Sequence, residues 1–291
     1  MFNLGTLATA QTYLVRGIAL YDRQQHGAAA FLYGDEDGLA CHSVAAWTLW
    51  CLGYPDQGLT RSQEAVTLAQ QIAHPFSLGF ALMLAATFHS LRREVRVTQE
   101  CAEAVISLAT DRGFPQLKAI SAILRGWTLA HQEQAKAGIE QLTQGLSALR
   151  ATGAEINQSY FLALLAEAYS TLGQPETGLT MLTQALTHAA TRGERWYESA
   201  LYCLKGELLL QQSSHHQVDA EACFHHALEI ARMQHAKSFE LRTATSLARL
   251  WQQQGKRQEA HDLLAHVYSW FTEGLDTADL KNAKALLDAL A

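Results

Sequence analysis

The chain has few prolines, an odd set of cysteines, no surplus of positive charge and no hydrophobic run long enough to span a bilayer. Four prolines in 291 residues, set against long stretches rich in Ala, Leu, Gln and Glu, favour helix and exclude sandwiches, barrels and collagen-like chains. Lysine plus arginine is 22 against 28 for aspartate plus glutamate, a formal charge of −6, which removes nucleic acid and anionic membrane as default partners. The most apolar stretches, 44–52 and 78–88, are about half the roughly 20 residues that a spanning helix needs. Met1-Phe2-Asn3-Leu4 puts no basic segment before an apolar block, so no signal peptide is read there. The cysteines are Cys41, Cys51, Cys101, Cys203 and Cys223. They form no C-x-x-C and lie in apolar helical stretches, where a reduced thiol behaves as a small hydrophobe. A cytoplasmic location is expected. A hydrophobic share of 48% against 17% charged supplies a core and removes disorder as an explanation.

What is present is repetition. Gly113, Gly153 and Gly193 follow one another at 40-residue intervals, each closing an apolar-periodic stretch. Glycine just past a helix end supplies the left-handed residue that terminates it. A second series lies within the repeats. Gly53-Tyr54-Pro55-Asp56-Gln57-Gly58 recurs 120 residues later as Gly173-Gln174-Pro175-Glu176-Thr177-Gly178, and Gly255 to Ala260 is a looser copy. The order is a helix stop at glycine, proline in the first turn of the next helix and an acid favoured by the helix dipole. The small sixth residue lets two helices approach closely.

Helical faces agree with this punctuation. Phe161, Leu162, Leu164, Leu165, Ala168, Tyr169 and Leu172 make one wide apolar face, and Leu179, Leu182, Ala185, Leu186 and Ala189 another. The pattern predicts a single all-α repeat domain over 1–291. It comprises a lead helix at 4–25, six helical hairpins at 38–72, 75–111, 115–151, 157–191, 194–234 and 237–272, and a capping helix at 277–290 whose N-cap is Asp276-Thr277. One such hairpin cannot bury both faces, whereas stacked hairpins can, so a right-handed superhelical solenoid is expected.

Leu162, Leu165-Ala166, Tyr169 and Gly173, with Gly178 and Ala185, resemble the tetratricopeptide pattern with both helices lengthened, as in the maltose-regulator-like group. The resemblance implies a concave groove lined by the first helix of each pair. Counting back from the helix-ending glycines assigns Trp47, Trp50, Trp127, Tyr160, Glu167, Glu207, Arg242 and Arg249 to it, and Arg125 and Lys205, at equivalent places two repeats apart beside Gly126 and Gly206 where a core leucine is expected, join them as candidates. Aromatics and arginines on such a surface serve as binding anchors. The plainer alternative makes the tryptophans inter-repeat core and the charges solvated ladders.

Longer stretches carry a sharper likeness. Leu124-Arg125-Gly126-Trp127, Tyr160 to Tyr169, Leu204 to Leu210 and Val267 to Leu287 resemble the C-terminal repeat region of bacterial adenylate/guanylate cyclases and predicted signalling ATPases. That likeness implies a protein or peptide partner and a sensing or regulatory role toward a cyclase or ATPase domain in cis or in trans. The family's catalytic parts have no counterpart: Gly255-Lys256-Arg257 lacks the first glycine and the hydroxyl of a phosphate loop. The start of the chain within what that family makes a second helix leaves fragment, split gene product and stand-alone repeat protein all open.

Other constellations are read as structural. His215-His216 and His225-His226 bracket Cys223, but one pair falls in a turn and adjacent helical histidines point apart. Asp35-Glu36-Asp37 is expected to cap a helix. No hydrolase signature appears. Lys256, Arg257, Lys281 and Lys284 make the C-terminal end the most basic region without a nucleic-acid recognition helix. No cofactor, metal, nucleic acid or membrane is expected. Ligand sensing by the tryptophans, or a fragment of a cyclase encoded upstream, are the alternative functions. An apolar flank near Leu4–Leu20 predicts weak self-association.

Overall fold

The computed structural model describes residues 1–21 and 37–291. Among them are fourteen α-helices and no strand. A lead helix, α1 (Leu7–Leu20), precedes six antiparallel hairpins. These are α2 (Asp37–Cys51) with α3 (Pro55–Ile72), α4 (Pro75–Leu91) with α5 (Val95–Arg112), and α6 (Pro115–Ala130) with α7 (Ala135–Ala151). Then follow α8 (Gln158–Thr171) with α9 (Pro175–Arg192), α10 (Glu198–Gln212) with α11 (Gln217–Met233), and α12 (Lys237–Gln253) with α13 (Arg257–Tyr268); α14 (Ala278–Leu290) ends the chain.

The punctuation is physical. All four prolines stand at the first residue of a helix, α3, α4, α6 or α9, where the missing N–H costs nothing. Left-handed residues recur at the turns within hairpins, at Gly53, Arg93, Glu133 and Gly173, and at the turns between them, at Ala73, Gly113, Gly153 and Gly193. Both series keep the 40-residue stride. It then lengthens by two residues to His235, after a short 3-10 turn, Ser214–His216, inserted before α11.

First and second helices are buried differently. In α8 every residue from Gln158 to Ala168 is buried, because a first helix packs against its own partner and against neighbouring hairpins. In α9 only Gly178, Leu182, Ala185 and Ala189 are buried, the one-sided pattern of a surface helix.

The chain divides into two compact units. The N-terminal unit comprises Ala8–Trp50 and Asp56–Ile156. Its α6 and α7 approach unusually closely: a Cβ on Gly126 would meet the Leu142 nitrogen at 2.8 Å, and one on Gly138 would meet the Gly126 oxygen at 2.6 Å. Gly58 faces the Ala46 carbonyl in the same way.

The C-terminal unit comprises Met1–Leu7, Cys51–Pro55 and Asn157–Ala291. Phe224, Leu247, Leu264, Phe271 and Leu280 anchor its distal core. Trp196 sits at the centre of a ring cluster, 4.9 Å from Phe2, 5.6 Å from Tyr160 and 5.0 Å from Tyr197. The Met1–Leu7 strap is fixed there, with the Asn3 carbonyl accepting from the Arg195 N–H at 2.6 Å. The predicted helix start at 194 moves to Glu198, because Glu194 has another task. Its carboxylate, 5% exposed, accepts from the N–H of Asn157 (2.6 Å) and from both N–H and hydroxyl of Ser159 (3.2 and 2.7 Å). It thereby caps α8 across 35 residues of sequence.

Two terminal expectations shift. The lead helix begins at Leu7, after a 3-10 turn at Phe2–Leu4, and its predicted end at 22–25 lies outside the described residues, as do Asp35 and Glu36 of the capping cluster. Thr277 stands at the N-cap of α14, but its hydroxyl donates to the Gly274 carbonyl at 2.7 Å and does not cap the helix.

Candidate functional site

The ten residues assigned to the groove fall into three places. Trp47, Trp50, Trp127 and Tyr160 are interior, between 0% and 5% exposed. Trp47 makes the reason plain: its indole N–H donates to the Leu84 carbonyl at 3.0 Å, so the first helix of the next hairpin covers it. A large ring between adjacent first helices is worth more as core, at roughly 1.5–3 kcal/mol per buried large side chain, than as a surface anchor.

Glu167, Glu207, Arg242 and Arg249 share the first-helix side of the C-terminal unit. Ser170 of α8 donates to Gln211 of α10 at 2.8 Å, and Ser246 of α12 donates to Glu207 of α10 at 2.6 Å. Arg242 of α12 reaches Asp279 of α14 at 2.8 Å. The result is a polar ladder across four helices. Arg242, Ser246 and Arg249 follow at i, i+4 and i+7 on one face of α12. Glu167 is almost buried, whereas Glu207 and Arg249 are exposed, and the Arg249 guanidinium makes no hydrogen bond or ion pair among the described residues.

Arg125, in the N-terminal unit, and Lys205, in the C-terminal unit, each stand next to a second helix of their own unit. Arg125 pairs with Glu103 of α5 at 3.3 Å, and Lys205 adjoins Gly206, which packs on the Phe224 ring of α11. This corrects their assignment to the first-helix groove. Equivalence between repeats gives the position along a helix, but a one-residue offset turns a side chain by about 100° around it.

Arg125 also lines a groove that sequence reasoning missed. It has a volume of about 570 Å³. Its floor is α6, with Ala119 and Ala122; α7 contributes Glu140, Gln141, Gln144 and Gly145, and α5 contributes Ile106. Lys118 stands at one end and Arg125 toward the other. The signal that could have found it is the glycine set Gly126, Gly138 and Gly145, which draws α6 and α7 together and leaves a floor of small residues.

Two carboxylates, one half-buried and one buried, are structural. Burial alone would raise the Glu94 carboxyl, but hydrogen bonds from His89 (2.5 Å) and Arg92 (2.8 Å) outweigh it and hold it below its ordinary value. Glu240 repeats the arrangement with Lys237 and Arg232 at 2.7 and 2.9 Å. The histidine pairs do not converge. His216 faces Asp219, His225 faces Glu221, and His226 packs on Tyr202. Among the described residues no three His, Cys, Asp or Glu groups are placed to hold a metal, and no helix is long and apolar enough to cross a membrane. Burial pushes the Cys51 and Cys203 thiols far up, the opposite of nucleophile activation.

No family model matches the chain. An uncharacterized protein of Rhizobium meliloti (strain 1021) is 24% identical over 251 residues, covering 86% of this chain and 24% of that protein. The chain thus spans about a quarter of the length of the curated relative it matches. Among solved structures, a Rap protein complexed with competence and sporulation factor aligns with a TM-score of 0.65 at 14% identity, over 98% of this chain and 87% of that one. NprR in complex with its cognate peptide NprX aligns at 0.63 and 12% identity, over 98% and 82%. A STAND signal-transduction ATPase with a tetratricopeptide repeat sensor, from Pyrococcus horikoshii, aligns at 0.50 and 15% identity, over 98% of this chain and 43% of that one. At such identities the likeness is one of fold: the chain has an all-α, tetratricopeptide-like repeat fold.

Proposed function

We propose that the chain is a non-catalytic repeat scaffold that holds a protein or peptide partner along the first-helix ladder of its C-terminal unit, in the cytoplasm. It serves as the sensor or regulatory arm of a bacterial cyclase/ATPase signalling protein. The observation that carries this reading is the ladder: Glu207 and Arg249 stand exposed on a polar row held rigid by contacts between helices. Exposed charges on rigid elements suit recognition, because little backbone order remains to be imposed on binding. The resemblance to cyclase-associated repeats and the quarter-length match to a longer relative support the arm role. The competence and sporulation factor named with the Rap structure and the cognate peptide named with NprR are ligands of those proteins, and they support this reading.

The test compares wild type with Arg249→Glu in cross-linking capture from the native host. Recovery of the principal partner should fall at least tenfold, since a reversed charge at a desolvated contact costs more than ~1.4 kcal/mol. Equal recovery would remove the ladder as the binding face. Incubation with magnesium and ATP or GTP should release no phosphate, pyrophosphate or cyclic nucleotide; turnover by the purified chain would overturn the non-catalytic reading.

A further inference from the structure

We propose that the groove between α5 and α7 of the N-terminal unit is a second binding site, taking a short extended peptide segment that carries one acidic group. It is separate from the ladder, which belongs to the other unit.

Shape comes first. The lining of α6 runs from Pro115 to Arg125, ten residues or roughly 15 Å at the helical rise. That is the reach of about four to five residues of extended chain. The volume of about 570 Å³ falls in the range of roughly 300–1,000 Å³ found for ligand sites. Ala119 and Gly145 are buried at the floor, Ala122 is half-buried, and Ile106 gives an apolar wall.

Polar chemistry selects a peptide. Gln141 and Gln144 face the groove from successive positions of one α7 turn, and neither side chain has a hydrogen-bond partner among the described residues. Each amide offers two donors and an acceptor oxygen. At i and i+3 they stand roughly 4.5 Å apart along the axis, close enough to bracket one residue of an extended segment, one amide donating to its carbonyl and the other accepting from its N–H.

Charge sets the end. Arg125 is occupied by Glu103 at 3.3 Å. Lys118 lies about two turns away on the same face of α6, exposed and without a hydrogen bond or ion pair among the described residues. It is the unspent cation of the groove. Glu140, equally unpaired, stands toward the Arg125 end and disfavours a carboxylate there. The acidic group of the occupant therefore lies at the Lys118 end.

The experiment uses the full chain and fluorescein-labelled hexapeptides of alanine, serine and glycine carrying one terminal Glu, Gln or Lys, read by anisotropy. The Glu series should bind at least tenfold more tightly than the Lys series. Lys118→Glu, at an exposed position that tolerates charge, should abolish or invert that preference, and Ala122→Trp should fill the floor and remove binding. Arg249→Glu should change nothing. The proposal is overturned by absence of binding at millimolar peptide, by an acidic preference indifferent to Lys118→Glu, or by N-acetylglutamate alone binding as tightly as the peptide. Peptide binding lost in Arg249→Glu but kept in Lys118→Glu would also overturn it while leaving the scaffold reading in place.

Discussion

Replacing Gly138 with alanine sets two effects of opposite sign against each other. Helix propensity favours alanine by about 1 kcal/mol in a helix interior, so local reasoning predicts stabilisation. Packing predicts the reverse. A Cβ at this position would stand 2.6 Å from the Gly126 oxygen, 2.7 Å from the Ala130 nitrogen and 3.0 Å from the Ala130 Cβ. Two of these are backbone atoms, which no rotamer change can move, so α6 and α7 must separate by roughly half an ångström. Gaps of that size forfeit a quarter or more of each dispersion contact, and the seam holds Ile123, Leu124, Trp127, Leu142 and Leu149, all fully buried. Overpacking costs about 1–3 kcal/mol, and backbone opponents place this case at the upper end. The net is a loss of about 2 kcal/mol. Hydrogen exchange read on peptides from α6 and α7 should then accelerate about 30-fold, since ~1.4 kcal/mol is a factor of ten. Gly113→Ala is the control: no atom lies within 4 Å of its Cβ, and only the left-handed φ of 73° opposes alanine. An exchange rate for Gly138→Ala equal to or slower than wild type would refute the close-packed seam.

Glu133 holds a left-handed φ of 63°, so Glu133→Gly should raise the urea midpoint, relieving about 1–2 kcal/mol of strain against about 0.5–1 kcal/mol of added chain entropy; a lower midpoint would contradict the turn assignment. Glu194→Ala strips the charged cap from the buried N-terminus of α8 and should cost about 2–4 kcal/mol. Exchange should rise first at residues 157–162, and a loss confined to α10 would count against the cap. Glu240 titrates below its ordinary 4.5, so its folded value lies under the unfolded one. Its contribution is complete above the unfolded value and fades as the pH falls through the folded value. Urea midpoints between pH 7 and pH 3 should therefore decline less steeply in Glu240→Gln than in wild type; parallel acid limbs would show that the Lys237 and Arg232 contacts do not stabilise the charged form.

The repeat was legible wherever its left-handed turn residue is glycine. Gly53, Gly113, Gly153, Gly173, Gly193 and Gly255 announce helix ends because the φ they adopt is costly for other residues. Ala73, Arg93, Glu133 and His235 adopt the same φ at equivalent turns and were silent, since nothing in an alanine or an arginine signals a conformation that its neighbours impose. The turn at 194–197 was hidden for a related reason: Glu194 and Trp196 read as helix formers, and only tertiary contacts give them a cap and a ring cluster instead.

The sites were less legible than the fold, and the asymmetry between first and second helices explains why. A second helix such as α9 buries one stripe, and its sequence shows that stripe. A first helix such as α8 is buried on nearly every side, so its pattern has no polar face to mark a surface, and Trp47, Trp127 and Tyr160 pass equally well for anchors or for core. What separates them is the neighbouring hairpin that covers Trp47 through Leu84 and leaves Arg249 bare, a relation between residues distant in sequence. The same holds for Lys118, Gln141 and Gln144. Each is an ordinary surface residue on its own helix, and they become a candidate site only because Gly126, Gly138 and Gly145 bring α6 and α7 close enough to form one groove. In this fold the residues that shape a surface and the residues that line it are different ones. Spacing reveals the first kind, and packing between hairpins reveals the second.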